Sequence, residues 1–185
     1  MTTFIIATPE RMAELGATIA AQLGAGDLVL LNGELGAGKT TLTRAIGETL
    51  GIRGTVTSPT FVLARTHPRL DDAGVELSTD AAAPLVHVDA YRLSSAVELD
   101  DLDIDFEASI VIVEWGAGLL DGVSDSWLTV DIARPIGGGS RESSVDDLNE
   151  VLDDFADEAI EPRTVTVTGT GPRWADMEWL NAVSD

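Results

Sequence analysis

The 185-residue chain contains no cysteine. That excludes disulfides, thiolate metal sites and thiol chemistry outright. No uninterrupted apolar run is long enough to span a bilayer. Residues 1–8 carry no basic n-region, and their apolar run is too short for a secretory signal. The expected address is therefore cytoplasmic, with no membrane contact. Positive charge is scarce: 11 Lys and Arg stand against 32 Asp and Glu, for a net charge of −21. Such a field repels phosphate backbones, which argues against DNA as a partner and against direct attraction to RNA. Any nucleic-acid substrate would have to be held by another protein. Internal repeats, a Ser-His-Asp order and a metal-binding histidine cluster are all missing.

Lysine is almost missing too. Every basic side chain is an arginine except Lys39. It lies in Gly33-Glu34-Leu35-Gly36-Ala37-Gly38-Lys39-Thr40, which fits the phosphate-loop pattern G-x-x-x-x-G-K-[ST]. Arginine is a planar fork, whereas lysine is a compact point charge on a flexible stem, so a position that stays lysine in such a chain is one where that difference matters. The apolar run at residues 27–32 predicts a strand buried on both faces, and residues 40–50 predict a helix stopped by Gly51. Strand, glycine loop and helix are the context in which this loop binds a nucleotide.

Elsewhere, residues 4–7 predict a short strand. Residues 9–23 predict a helix capped by Thr8 and opened by Pro9, with Met12, Leu15, Ile19 and Leu23 on one face. Further apolar runs at 60–65, 85–88 and 110–113 predict strands, the last two ending at Asp89 and Glu114. Residues 68–84 predict an exposed loop, and residues 95–102 a short capped helix. Alternating residues at 127–132 and 163–168 predict an antiparallel pair. The expected fold is α/β, a P-loop NTPase-like three-layer domain with a mixed, mainly parallel sheet and an antiparallel C-terminal strand pair. The whole of 1–185 is expected to form one domain. An acidic insertion at about 136–162 carries Val145, Leu148, Leu152, Phe155 and Ala159 at helical spacing.

Triphosphate oxygens need several donors converging at once. Glycines let the backbone curl so that its N–H groups point inward, and the following helix presents its positive end. The expected nucleotide-binding set is Gly33, Leu35, Gly36, Ala37, Gly38, Lys39, Thr40 and Thr41. Lys39 can reach the β- and γ-phosphates, and the Thr40 hydroxyl can ligate Mg²⁺. Asp89 and Glu114 each follow a run of mostly β-branched residues, so both should surface at the carboxyl edge of the sheet, where a carboxylate can organise Mg²⁺. Ser58-Pro59-Thr60 is either a switch segment or a plain turn. His87 reads as a core residue, and Trp115 as either core packing or a lid. A guanine-reading Asn-Lys-x-Asp is impossible without a second lysine, which points to ATP.

Together, Gly33–Thr41, Thr57-Ser58-Pro59-Thr60-Phe61, His87-Val88-Asp89-Ala90-Tyr91-Arg92-Leu93 and Val113-Glu114-Trp115 resemble the TsaE (YjeE) family over roughly residues 4–134. The resemblance implies a small ATPase of tRNA threonylcarbamoyladenosine biosynthesis that works with the proteins TsaD and TsaB and meets tRNA only through them. It further implies that Thr40 and Glu114 hold Mg²⁺, that Lys39 holds the phosphates, and that Asp89 is needed for hydrolysis. Trp115 would lie near the nucleotide. A nucleotide-proximal arginine would fall on Arg163 or Arg141, and the chain beyond residue 132 departs from the compact ending expected of the family. Two other readings of the phosphate loop are a small-molecule kinase and a nucleotide-gated binding module.

Overall fold

A computed structural model describes residues 1–59, 62–119, 122–134 and 161–183. Its centre is β2 (Leu28–Gly33), whose first four side chains are all buried. Burying each aliphatic side chain of this kind contributes about 1.5–3 kcal/mol, so a strand with four in a row is most stable where both of its faces are covered. β2 accordingly pairs in parallel with β5 (Ile110–Glu114) on one side and with β6 (Trp127–Ala133) on the other. The seven-stranded sheet is completed by β1 (Thr2–Ile6), β3 (Ala64–His67), β4 (Leu85–Asp89) and β7 (Arg163–Thr170), in the order β1-β7-β6-β2-β5-β4-β3. β6, β2, β5 and β4 run parallel, β7 and β3 run against them, and β1 is antiparallel to β7. Five of the seven strands therefore point the same way. The expected mixed, mainly parallel sheet with its antiparallel pair β6–β7 is present.

Strand alternation sorts the core into two layers. Val29, Leu31, Leu85, Ile110 and Ile112 pack with the helices α1 (Pro9–Ala20) and α2 (Lys39–Leu50). Leu28, Leu30, Val86, Val88, Val111 and Val113 face the other way, toward Leu99 of α3 (Ala96–Asp100) and Leu119. The period of two places His87 and Asp89 on the same face as Leu85, and Glu114 on the same face as Ile112. That is the face carrying α2.

The Thr8 side chain caps α1 by accepting from the Arg11 N–H, as expected, and Gly51 ends α2 in a left-handed conformation. α1 stops at Ala20 and continues as a turn, not as helix to residue 23. The strand expected at 60–65 is a correction. Val62 and Leu63 both donate their N–H groups to the Pro59 carbonyl, and Leu63 has φ +66°, so this segment turns and the strand begins at Ala64. Thr60 and Phe61 lie outside the described residues. The acidic insertion expected at 136–162 falls almost wholly outside them as well.

After β7 the chain folds back on α1. Trp174, Leu180 and Val183 are buried in the main core, and the Arg11 Nη2 donates to the Val183 carbonyl at 2.9 Å. The Arg173 guanidinium grips the buried Asp27 carboxylate with two bonds of 3.1 Å, fixing this tail to the turn that opens β2. α1 in turn presses on α2 so closely that a Cβ at Gly16 would lie 2.6 Å from the Ala45 Cβ. A branched side chain at that crossing must push the helices apart. Gly16→Val should lower unfolding stability by about 1–3 kcal/mol in urea titration.

Candidate functional site

The loop between β2 and α2 closes on itself. Ala37 donates its N–H to the Glu34 carbonyl, and Gly33 and Gly38 have φ +147° and +115°, conformations that favour glycine. At Gly33 space decides as well, since a Cβ there would sit 2.4 Å from the Ile132 carbonyl oxygen. Gly38, the residue that caps α2, has no side chain to bond the first helical N–H groups. The first-turn residues Lys39, Thr40 and Thr41 instead line a cleft of about 650 Å³, with Leu35, Gly36, Gly38, Ser58, Asp89, Tyr91, Glu114 and Trp115. An uncapped helix start with backbone donors turned to a cleft is a ready anion seat.

Lys39 is 5% exposed. Its Nζ donates to the Gly33 carbonyl at 2.8 Å and the Glu34 carbonyl at 3.0 Å, and lies 3.8 Å from the centroid of the Trp115 ring. Trp115 reaches that position through a left-handed backbone turn (φ +64°) directly after β5, while Tyr91 meets it edge-on at 5.7 Å. A cation over an indole in a desolvated setting contributes about 2 kcal/mol, enough to offset the cost of that backbone conformation. Burial pushes the Lys39 pKa down, and the negative charges of Glu114 and Asp89 oppose that push.

Thr40 and Glu114 meet. The Thr40 hydroxyl donates to Glu114 Oε1 at 2.9 Å, and His87 Nε2 lies 2.9 Å from the same oxygen. Both bonded groups leave oxygen lone pairs over, which makes Thr40 and Glu114 a hard oxygen pair suited to Mg²⁺. Among the described residues no group of three or more His, Asp or Glu side chains could hold a metal. Asp89 lies beside Glu114 in register, is almost fully buried, and accepts the Tyr91 N–H at 3.0 Å.

Most of the expected site residues thus converge on one cleft. Gly33 and Ala37 do not line it: Gly33 contributes its carbonyl to Lys39, and Ala37 faces a smaller recess of about 160 Å³ on the α1 side of the loop. Arg163 lines that recess with Thr8, Met12 and Thr41, while Arg141 lies outside the described residues. Three contributors were not expected. Arg134 donates through Nη2 to the Gly36 carbonyl at 3.2 Å, Tyr91 joins the cleft wall, and His87 is bonded to the carboxylate, beyond a plain core role. For His87 and Tyr91 the signal was strand parity: His87 shares a face with Asp89, and Tyr91 follows at the strand's end.

The family profile described as "Threonylcarbamoyl adenosine biosynthesis protein TsaE" matches residues 6–142. The tRNA threonylcarbamoyladenosine biosynthesis protein TsaE of Streptomyces coelicolor is 49% identical over 170 residues, covering 90% of this chain and 96% of its own. The chain belongs to the TsaE family, which takes part in tRNA threonylcarbamoyladenosine biosynthesis. The TsaE protein of Bacillus subtilis is 33% identical, covering 72% of this chain and 78% of its own. The crystal structure of Bacillus subtilis YdiB aligns with a TM-score of 0.63 at 26% identity, covering 99% of this chain and 93% of that one. A match to 90% of the chain necessarily extends past residue 134, so the resemblance to the TsaE family is longer than the expected 4–134.

Because Lys39 is the only lysine, protein labelled with isotope at lysine Cε gives one resonance to titrate. Its midpoint should lie below the ordinary lysine value. Glu114→Gln removes a charge that favours the ammonium, so the midpoint should fall further in that variant. A midpoint that stayed put or rose would contradict the electrostatics described here.

Proposed function

We propose that this TsaE-family chain is a Mg²⁺-dependent ATPase that supports TsaB and TsaD in forming threonylcarbamoyladenosine on tRNA. The observation that carries the reading is the Thr40–Glu114 hydrogen bond set directly beside the buried Lys39 ammonium. A hard-oxygen pair, a desolvated cation and an uncapped helix start in one cleft together serve a nucleoside triphosphate. Few other ligands would use all three. The cleft volume lies within the usual range for small-ligand sites. The recess lined by Thr8, Met12 and Arg163 is the candidate seat for the nucleoside end.

In this reading Lys39 leaves the loop carbonyls to contact the β- and γ-phosphates, while first-turn N–H groups of α2 cradle their oxygens. Thr40 and Glu114 would hold Mg²⁺, which when bound would supply neutralisation of the charge developing on the phosphates. Asp89, at the end of β4, would orient the attacking water. Trp115, with Tyr91 packed edge-on against it, covers Lys39 and shields it from bulk solvent, which strengthens its field on the phosphates. The triphosphate enters against a net charge of −21, so this local cup must provide the attraction that the surface does not. The same surface charge favours protein partners over direct tRNA contact.

Phosphate release from ATP, measured with and without TsaB and TsaD, tests the proposal. Release that needs no acceptor molecule and rises with the partners is expected. Binding without turnover under both conditions would favour a nucleotide-gated module instead. Lys39→Ala should lower turnover by about a hundredfold or more, since no second lysine can substitute. Asp89→Asn should reduce turnover far more than nucleotide affinity, and equal losses in both would recast Asp89 as a structural residue.

A further inference from the structure

We infer that His87 is a positioning residue for the Glu114 carboxylate, orienting it toward a divalent cation that His87 itself does not touch. The inference rests on the proposed nucleotide–Mg²⁺ site. His87 is completely buried in β4, on the face that carries α2, and its Nε2 lies 2.9 Å from Glu114 Oε1. A carboxylate can only accept, so Nε2 carries the proton in this bond. The other ring nitrogen, Nδ1, is buried and has no hydrogen-bond partner among the described residues. A leucine at this position would pack between Leu85 and Asp89 with no polar atom to desolvate. An imidazole leaves Nδ1 unpaired and costs stability, which the Glu114 contact must offset.

Geometry separates the two donors on Oε1. Thr40 approaches from the first turn of α2 and lines the cleft, and in the proposed site its oxygen would also ligate the cation. His87 approaches from inside the sheet and is held by packing on every side. Its bond therefore persists when Thr40 adjusts to a ligand. With both bonds on Oε1, Glu114 is pinned in one rotamer, and Oε2 is the oxygen that neither bond occupies. Partners of this kind behind a metal-binding carboxylate change metal affinity without touching the metal.

Two polar variants distinguish positioning from mere packing. His87→Gln places an amide N–H near the Nε2 position and keeps the bond. His87→Asn is polar but too short to reach Glu114. Mn²⁺ binding to the protein–ADP complex can be followed by electron paramagnetic resonance, ADP binding in EDTA by calorimetry, and folding by melting curves. His87→Asn should weaken Mn²⁺ binding by about tenfold while ADP binding in EDTA stays at the parent level. His87→Gln should bind Mn²⁺ close to the parent. Equal Mn²⁺ affinity in the two variants, or a parallel loss of Mn²⁺ and metal-free ADP binding, would overturn the positioning role. If the parent–ADP complex itself takes up no Mn²⁺, the proposed site falls and this inference with it. A parent that binds Mn²⁺ alongside indistinguishable variants removes the inference alone.

Discussion

A carboxylate buried as deeply as Glu114 has to be paired, because an isolated charge in that setting costs several kcal/mol. Its partners come from two directions. Thr40 belongs to the helix that follows the phosphate loop, and His87 belongs to the neighbouring strand. One carboxylate oxygen at the end of β5 therefore ties the start of α2 to the middle of β4. The glycine loop is strung between β2 and α2, and β2 reaches the same carboxylate's strand by the pairing of Leu31 with Glu114, so both elements flanking the loop meet at β5. Loosening that junction would free the loop as well as the candidate metal position.

Beside the junction, an acidic protein places its single ammonium. The carbonyls of Gly33 and Glu34 hold the lone ammonium, and Trp115 covers it. Burial pushes its pKa down, and Glu114 and Asp89 oppose that push. The left-handed turn at Trp115 is the backbone cost of bringing an indole over that cation. Helix α1 and the C-terminal tail stand behind this arrangement. The tail is clamped by Arg173 to Asp27 and by Arg11 to the last turn, and α1 meets α2 across a crossing that admits only a glycine at position 16.

Several parts of this were legible in the chain beforehand. The phosphate loop was, because its backbone needs glycines at set places and its chemistry needs lysine and a hydroxyl at the next two. The carboxylates Asp89 and Glu114 were, because a short, mostly apolar and β-branched run reads as a buried strand and an acid directly after it comes out at the sheet edge. The turn at Val62 and Leu63 was misread as strand: both residues are apolar, and periodicity cannot see that the Pro59 carbonyl captures their N–H groups. Arg134 was missed because its partner is the backbone of Gly36, almost a hundred residues away in the chain.

The sequence by itself determined the local chemistry: which loop carries the phosphate-loop pattern, which strands are buried on both faces, and which acids end them. These follow from spacing, and spacing is a property of neighbours along the chain. Tertiary structure alone decided which of those groups meet. Whether Glu114 faces Thr40, whether His87 is filler or support, and whether Trp115 packs or covers all depend on strand order and register. Those are set by long-range pairing between β2, β5 and β4, in which no residue is near its partner in sequence.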